Sequence, residues 1–168
     1  DGLDAAGNPS EQQVALVFFN PKFGFFHLLN NNQSIYASFA VANKEPNRND
    51  YVENKAGEYP LHETLYDIEI GYKQNGDKLK LGANLYHMNY KNQLVMTGKL
   101  NDVGARTHVN VAESFRKGIE IEGTYKLTEK LTWAANITLS ENKIVTSFIE
   151  HVDNWDTGGI DEVFHENT

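Results

Sequence analysis

Residues 65–94 read LYDIEIGYKQNGDKLKLGANLYHMNYKNQL, two stretches of alternating apolar and polar residues on either side of an Asn75-Gly76 turn. Side chains two residues apart lie on the same face of a strand, whereas a helix brings together residues three and four apart. An Asn-Gly pair between two such stretches is typical of a β-hairpin. The pattern therefore predicts an antiparallel hairpin with one apolar face. Its apolar residues are Tyr66, Ile68, Ile70 and Tyr72, then Leu79, Leu81, Ala83 and Leu85.

The same alternation extends along most of the chain. We predict six strands, at about residues 12–29, 34–43, 65–73, 78–94, 115–127 and 131–146. Short polar turns at 30–33, 74–77 and 128–130 alternate along the chain with long polar connections at about 44–64, 96–114 and 147–168. A membrane barrel has its short turns on one rim and its long loops on the other. The sequence therefore predicts an all-β fold, the wall of an antiparallel up-and-down transmembrane β-barrel.

Strand length and aromatic placement favour the same fold. Crossing a bilayer takes about 9 to 11 residues of tilted strand, whereas strands of soluble proteins average roughly 5 to 6. Tyr72, Tyr125 and Trp133 all lie on the apolar face within a few residues of a short turn. Such aromatic residues form a girdle at the membrane interface. We expect the short-turn rim to lie at one membrane surface.

The opposite face carries charges in the middle of its strands, which suits a water-filled lumen. We expect this face to contact a plug domain through Glu69, Lys80, Glu120, Glu122 and Lys126. Six strands cannot close a barrel, because the smallest single-chain bacterial barrels have about 8. The chain begins at Asp1 without an initiator methionine or a signal peptide. We therefore expect it to be part of a larger barrel.

Composition and motifs exclude several other functions. A net charge of −8 argues against nucleic acid, which requires a basic surface. Ser114 and Ser147 lack the glycine elbow of a serine nucleophile, and no glycine-rich phosphate loop is present, so we do not expect an enzyme. The histidines and the acidic stretch 150–166 lack the spacing of metal ligands. We predict no metal site and no cofactor.

Five segments resemble the wall of TonB-dependent outer-membrane receptors, especially those of Bacteroides-like bacteria. They are FFNPKFG at 18–24, IYASFAVANKEPNRNDY at 35–51, HETLYDIEIGY at 62–72, NLYHMNYKNQLV at 84–95 and RKGIEIE at 116–122. The resemblance implies a fragment of a barrel of about 22 strands whose lumen is plugged. It also implies that the plug domain is not in this chain.

The resemblance further implies import of a scarce nutrient across the outer membrane of a Gram-negative bacterium. The ligand would be a ferric siderophore or a similar iron, cobalamin or glycan compound. TonB would supply energy through the plug, and outer-membrane lipid would surround the wall. Whether the receptor also has a surface lipoprotein as a partner is left open by the sequence.

The long connections would form the outer mouth and contact the ligand. Charged or aromatic residues there are the candidate contacts: Arg48, Tyr51, Tyr59, Arg106, His108 and Trp155. Two other classes of protein stay open on the sequence alone. One is a passive porin-like or adhesive outer-membrane barrel. The other is a soluble β-barrel or β-sandwich that binds a ligand.

Overall fold

The computed structural model describes residues 2–3, 9–10, 14–53, 59–100 and 106–166. In chain order the elements are β1 (Gly2–Leu3), β2 (Pro9–Ser10), β3 (Lys22–Asn30), β4 (Gln33–Lys44), α1 (Arg48–Glu53), β5 (Glu63–Asn75), β6 (Leu79–Leu100), β7 (Arg106–Thr128), β8 (Leu131–Ile144), β9 (Phe148–Asn154) and β10 (Gly159–His165). Within these ranges β3 to β8 form one six-stranded sheet in sequence order, and each neighbouring pair is antiparallel. The up-and-down meander is therefore confirmed.

Tight turns join the strands at one edge of the sheet. The amide of Asn32 donates to Oδ1 of Asn30 over 2.9 Å, and the amide of Gly76 donates to the carbonyl of Leu79 over 2.9 Å. The third turn is closed by the amide of Lys130, which donates to Oγ1 of Thr128 over 3.2 Å. Asn30 and Thr128 suit these turns because their side chains accept from nearby backbone amides. Gly76 leaves room for the Leu79 carbonyl oxygen, which would lie 3.0 Å from a Cβ at this position. The longer connections all lie at the opposite edge.

The strand register sorts side chains onto two faces as the alternation predicts. One row of the apolar face runs from Ile70 through Leu85 and Ile119 to Leu139. One row of the polar face runs from Tyr36 through Gly71, Asn84 and Glu120 to Thr138. Directly opposed side chains lie close enough to interact across each strand pair. The apolar face is therefore a continuous surface across the sheet.

This apolar face is not covered by another part of the described chain. Ile70 is 55% exposed, Leu85 54% and Leu139 65%, and Val111 is the one buried hydrophobic residue in the described ranges. Burial of apolar surface stabilises a protein by about 25 cal/mol per Å². A sheet that leaves such a face open needs an apolar surrounding, which a bilayer supplies. None of the described helices is long and apolar enough to span a membrane.

Two of the expected long loops contain strands. Where a loop was expected at 96–114, β6 continues to Leu100 and β7 already begins at Arg106, with Val95 opposite Val109. Where a loop was expected at 147–168, β9 and β10 form a second hairpin. The physical reason is shared: these arms pair their backbone groups with each other but lack a continuous apolar face. The alternation of apolar and polar residues therefore did not predict strands in these two segments.

The expected strand over 12–29 and the loop over 44–64 also differ from the structure. β3 begins at Lys22, and residues 14–20 have no regular structure. Pro21 has no amide hydrogen to give to a ladder, although its carbonyl accepts from the amide of Val41 over 2.9 Å. Residues 12 and 13 lie outside the described ranges. The connection after β4 includes the six-residue helix α1.

Candidate functional site

The helix α1 is fixed at the long-connection edge by one acidic residue. Oδ2 of Asp50 accepts from the amide of Asn47 over 2.8 Å, and Oδ1 of Asn47 accepts from the amide of Asp50 over 3.2 Å. The Asp50 side chain is only 3% exposed, and its Oδ1 lies 3.1 Å from Nδ1 of His108 on β7. That pair lacks hydrogen-bond geometry, so the attraction is electrostatic when the imidazole is protonated. Asp50 therefore joins α1 to β7.

Arg48 and Tyr51 are presented by this short helix. Arg48 is exposed and Tyr51 is half-buried. Burial raises the pKa of the Tyr51 hydroxyl, and the negative charges of Glu45 and Asp50 raise it further. The hydroxyl therefore stays neutral and can donate a hydrogen bond to an incoming ligand.

A single asparagine joins the segment before β5 to the β6–β7 hairpin. Oδ1 of Asn110 accepts from the amide of Leu61 over 2.8 Å, and its Nδ2 donates to the carbonyl of Leu61 over 3.0 Å. Nδ2 also donates to the carbonyl of Asn92 over 2.6 Å. Asn92 has a φ of 54°, a left-handed conformation that asparagine tolerates better than most residues. Tyr59, two residues before Leu61, is 63% exposed beside this junction.

The β9–β10 hairpin carries Trp155 in its turn. The Trp155 side chain is 92% exposed. At the base of the hairpin, Nε2 of His165 lies 2.7 Å from Oε2 of Glu150, and the His165 ring stacks on Phe148 with centroids 4.9 Å apart. The carbonyl oxygen of His151 packs against Gly98 of β6, where a side chain would collide with it. The hairpin is therefore anchored, and its tip projects an aromatic ring into solvent.

The structure places the predicted contact residues at one edge of the sheet but in three groups. Arg48 and Tyr51 share α1 with Asp50, whose carboxylate lies against His108. Tyr59 lies two residues before Leu61, the partner of Asn110, and Trp155 is on a separate hairpin. Arg106 begins β7, and its side chain is outside the described part of the structure. Sequence reasoning missed Asp50 and Asn110, which hold these groups. Among the described residues, no group of three or more His, Cys, Asp or Glu could hold a metal ion.

The predicted plug-facing residues share the polar face. The register places Glu69, Lys80, Glu120, Glu122 and Lys126 on it together. A cavity of about 330 Å³ opens on this face beside Tyr36, Asn84 and Glu122. The Tyr36 hydroxyl donates to Oδ1 of Asn84 over 3.0 Å. The surface is thus polar, charged with both signs and concave, as suits a wet lumen.

The family model described as "TonB dependent receptor-like, beta-barrel" matches residues 4–161. The chain belongs to this family. TonB-dependent receptors are proteins of the outer membrane of Gram-negative bacteria. The predicted family is therefore confirmed, whereas the Bacteroides-like origin and the fragment status stay predictions. No curated protein matches the chain at a significant level.

Solved structures show the same fold. The copper transporter OprC is 20% identical with a TM-score of 0.64 over 73% of this chain and 20% of its own. The siderophore receptor PirA from Pseudomonas aeruginosa is 21% identical, with a TM-score of 0.63 over 73% of this chain and 25% of its own. The FrpB iron transporter from Neisseria meningitidis is 22% identical, with a TM-score of 0.59 over 73% of this chain and 18% of its own.

These comparisons show that the six-stranded sheet has the fold of part of a receptor barrel, and the sheet is not closed. The chain spans only a fifth to a quarter of the length of the first two solved relatives. Identity at this level shows the fold alone.

Proposed function

We propose that the chain forms part of the wall of an outer-membrane receptor that captures a scarce nutrient and imports it with energy from TonB. The observation that carries the proposal is the single-layer sheet, with an exposed apolar face on one side and a charged face on the other. A soluble barrel or sandwich would bury its apolar face inside. A bilayer outside and a wet lumen inside account for both faces.

Capture would occur at the long-connection edge. Its side chains offer positive charge and aromatic surface, which suit an anionic or aromatic chelate. They are the predicted residues Arg48, Tyr51, Tyr59, Arg106, His108 and Trp155. The solved relatives include a copper transporter, a siderophore receptor and an iron transporter. A ferric siderophore or a similar iron, cobalamin or glycan ligand fits this end of the wall.

Import would be gated from inside the barrel. The carboxylates Glu69, Glu120 and Glu122 and the ammonium groups of Lys80 and Lys126 would hydrogen-bond to a plug domain. TonB would act on that plug and thereby open a path along the polar face. The proposed role is transport and involves no catalysis by this chain.

Cysteine labelling tests the placement of both faces. The sequence has no cysteine, so each introduced thiol in this chain is unique. In intact cells, a membrane-impermeant thiol reagent should label a Tyr51→Cys variant and leave Ile68→Cys and Ile121→Cys unlabelled. Ile68 and Ile121 are 46% and 40% exposed, so lipid rather than protein packing would protect them. Equal labelling of all three variants would contradict the proposal.

Dependence on TonB separates the receptor from a passive channel. Uptake of the captured nutrient should fall to the background rate in a strain without TonB. A porin-like barrel would admit the solute at the same rate in both strains. Surface capture without any uptake would indicate an adhesive barrel.

A further inference from the structure

One acid and one base face each other where α1 meets β7. Oδ1 of Asp50 lies 3.1 Å from Nδ1 of His108, and the two side chains are 3% and 28% exposed. Neither of these two atoms touches solvent, and neither has a hydrogen-bond partner. A buried carboxylate oxygen without a partner is costly, because it has lost the water that would solvate it. The protonation of His108 therefore decides how stable this contact is.

On the α1 side, the surroundings of Asp50 are negative. Burial raises the pKa of the Tyr51 hydroxyl, and the charges of Glu45 and Asp50 raise it further. Arg48 is exposed, and among the described side chains no ion pair joins it to Asp50. The cation that can compensate the buried carboxylate is thus the imidazolium of His108.

On the β7 side, the described neighbours of His108 along the strand and across to β6 are uncharged. They are Thr107, Val109, Asn110 and, opposite on β6, Met96. In the segment before β5, the His62 ring packs against Phe18 with ring centroids 5.1 Å apart. The side chains of Glu53 and Arg106 lie outside the described part of the structure. Arginine keeps its charge throughout the range in which histidine titrates, and glutamate is ionised over most of it.

The charge of the contact changes with pH in a defined direction. Histidine gains and loses its proton between about pH 5 and 8, where carboxyl groups are mostly ionised. With the imidazole protonated, opposite charges attract and hold α1 on β7. With the imidazole neutral, Oδ1 of Asp50 is left buried without a counter-charge. The stabilisation is therefore present at the lower pH and is lost as the pH rises.

We propose that Asp50 and His108 form a pH-sensitive latch, which holds α1 against β7 in mildly acidic surroundings and releases it in mildly alkaline ones. The helix presents Arg48 and Tyr51, two of the ligand contacts proposed above. Release of α1 displaces both side chains, so capture weakens as the pH rises. This consequence rests on the proposed function, whereas the latch itself depends only on the contact between α1 and β7.

A spin label on α1 tests the latch in the full-length receptor without any ligand. Asn49 is exposed on α1 and takes no part in the contact, so an Asn49→Cys variant can carry a nitroxide there. Electron paramagnetic resonance spectra at about pH 5.5 and about pH 8 would give the ratio of mobile to immobile label on either side of the usual titration of histidine. We expect this ratio to rise at least about fivefold at the higher pH, the upper end for an exposed ion pair, because the carboxylate is buried. A label at Asn31→Cys, in an exposed short turn, should give the same spectrum at both pH values.

Two substitutions in the labelled background separate the latch from a merely structural contact. His108→Gln cannot be protonated, so the pH dependence should disappear. Asp50→Asn keeps an acceptor for the Asn47 amide and removes the buried charge, so its label should be less mobile than that of the parent at the higher pH. His165→Gln is the matched control, because it removes another histidine that lies against a carboxylate, 2.7 Å from Glu150, and should keep the full pH dependence.

The latch is contradicted if the Asn49 label gives the same spectrum at both pH values, or if its pH dependence persists in His108→Gln. Greater mobility of Asp50→Asn than of the parent at the higher pH, or loss of the pH dependence in His165→Gln, would contradict it equally. The cysteines at Ile68 and Ile121 report on the wall separately. Their protection together with a pH-independent α1 leaves the proposed function standing and removes only the latch. Their reaction with the impermeant reagent removes the proposed function, whatever α1 does.

Discussion

Tyr36 of β4 donates a hydrogen bond of 3.0 Å to Asn84 of β6 across the intervening residue Gly71 of β5. A Cβ atom at Gly71 would overlap the Tyr36 ring. The arrangement recurs one strand pair later, where the Tyr86 hydroxyl lies 2.6 Å from the place that a Cβ of Gly118 would occupy. Two glycines of the polar face thus make room for tyrosines from the neighbouring strand. The tyrosine rings lie over the backbone of these two glycines on the polar face.

The pair Tyr36 and Gly71 gives a prediction about stability. Gly71→Ala should lower the free energy of unfolding by about 1–3 kcal/mol, because the ring must move and the bond to Asn84 is lost. In a Tyr36→Ala background the same substitution should cost much less, since no ring remains to displace. Urea unfolding of the four variants would measure the coupling. Additive costs would show that the ring and Gly71 do not interact.

A second prediction concerns the junction between α1 and β7. Asp50→Ala removes the acceptor for the Asn47 amide and the partner of His108, so protease should cleave residues 44–53 faster. The barrel should keep its stability within about 0.5 kcal/mol, because α1 lies outside the sheet. Asp50→Asn is the matched control: it keeps an acceptor for Asn47 and removes only the charge. Equal cleavage of Asp50→Ala and the wild type would show that Asp50 does not hold the helix.

A third prediction concerns Asn110 and is tested by hydrogen exchange. Asn110→Ala removes three hydrogen bonds to backbone groups, including the acceptor for the Leu61 amide. Exchange over residues 59–62 should therefore accelerate, while exchange in the middle of β5 stays as slow as before. Asn110→Asp keeps the acceptor and loses both donated bonds, so its effect should be intermediate. Unchanged exchange in Asn110→Ala would contradict the role assigned to this residue.

A fourth prediction concerns the exposed ring of Trp155. Trp155→Ala should leave stability unchanged, because a side chain that is 92% exposed buries almost no area. Ligand affinity should fall by about tenfold or more, as for truncated aromatic contacts in other interfaces. Val163→Ala, on the same hairpin, is the control for general damage. Identical affinity of Trp155→Ala and the wild type would remove Trp155 from the binding surface.

The two faces of the wall were predictable from the sequence, and the strand ends were not. Period-two alternation from Tyr66 to Tyr72 determines which side chains share a face, whatever the length of the strand. Between Val95 and Val109 the arms of β6 and β7 extend beyond the apolar band, and polar side chains occur on both faces. Backbone pairing joins such arms whatever their side chains are, so the residue types there do not reveal the strands.

The contacts of Asn110 and Asp50 at the long-connection edge join segments that are far apart in the sequence. Asn110 bonds to Leu61, 49 residues earlier, and Asp50 lies against His108 on another element. Single asparagine and aspartate residues are ordinary in a polar loop, so nothing in the sequence marked these two. Tyr51 and His108 were predicted as ligand contacts from their chemistry, but the residue that links them was not.

Fluorescence quenching in bilayers tests directly whether the apolar face meets lipid. The chain has two tryptophans: Trp133 is 62% exposed on the apolar face near the short turns, and Trp155 is at the tip of the β9–β10 hairpin. The receptor would be reconstituted with lipids brominated near the top of their acyl chains, alongside Trp133→Phe and Trp155→Phe variants. Lipid quenching should be reduced in Trp133→Phe and unchanged in Trp155→Phe. Emission from Trp133 that is quenched by aqueous iodide and not by brominated lipid would contradict this expectation.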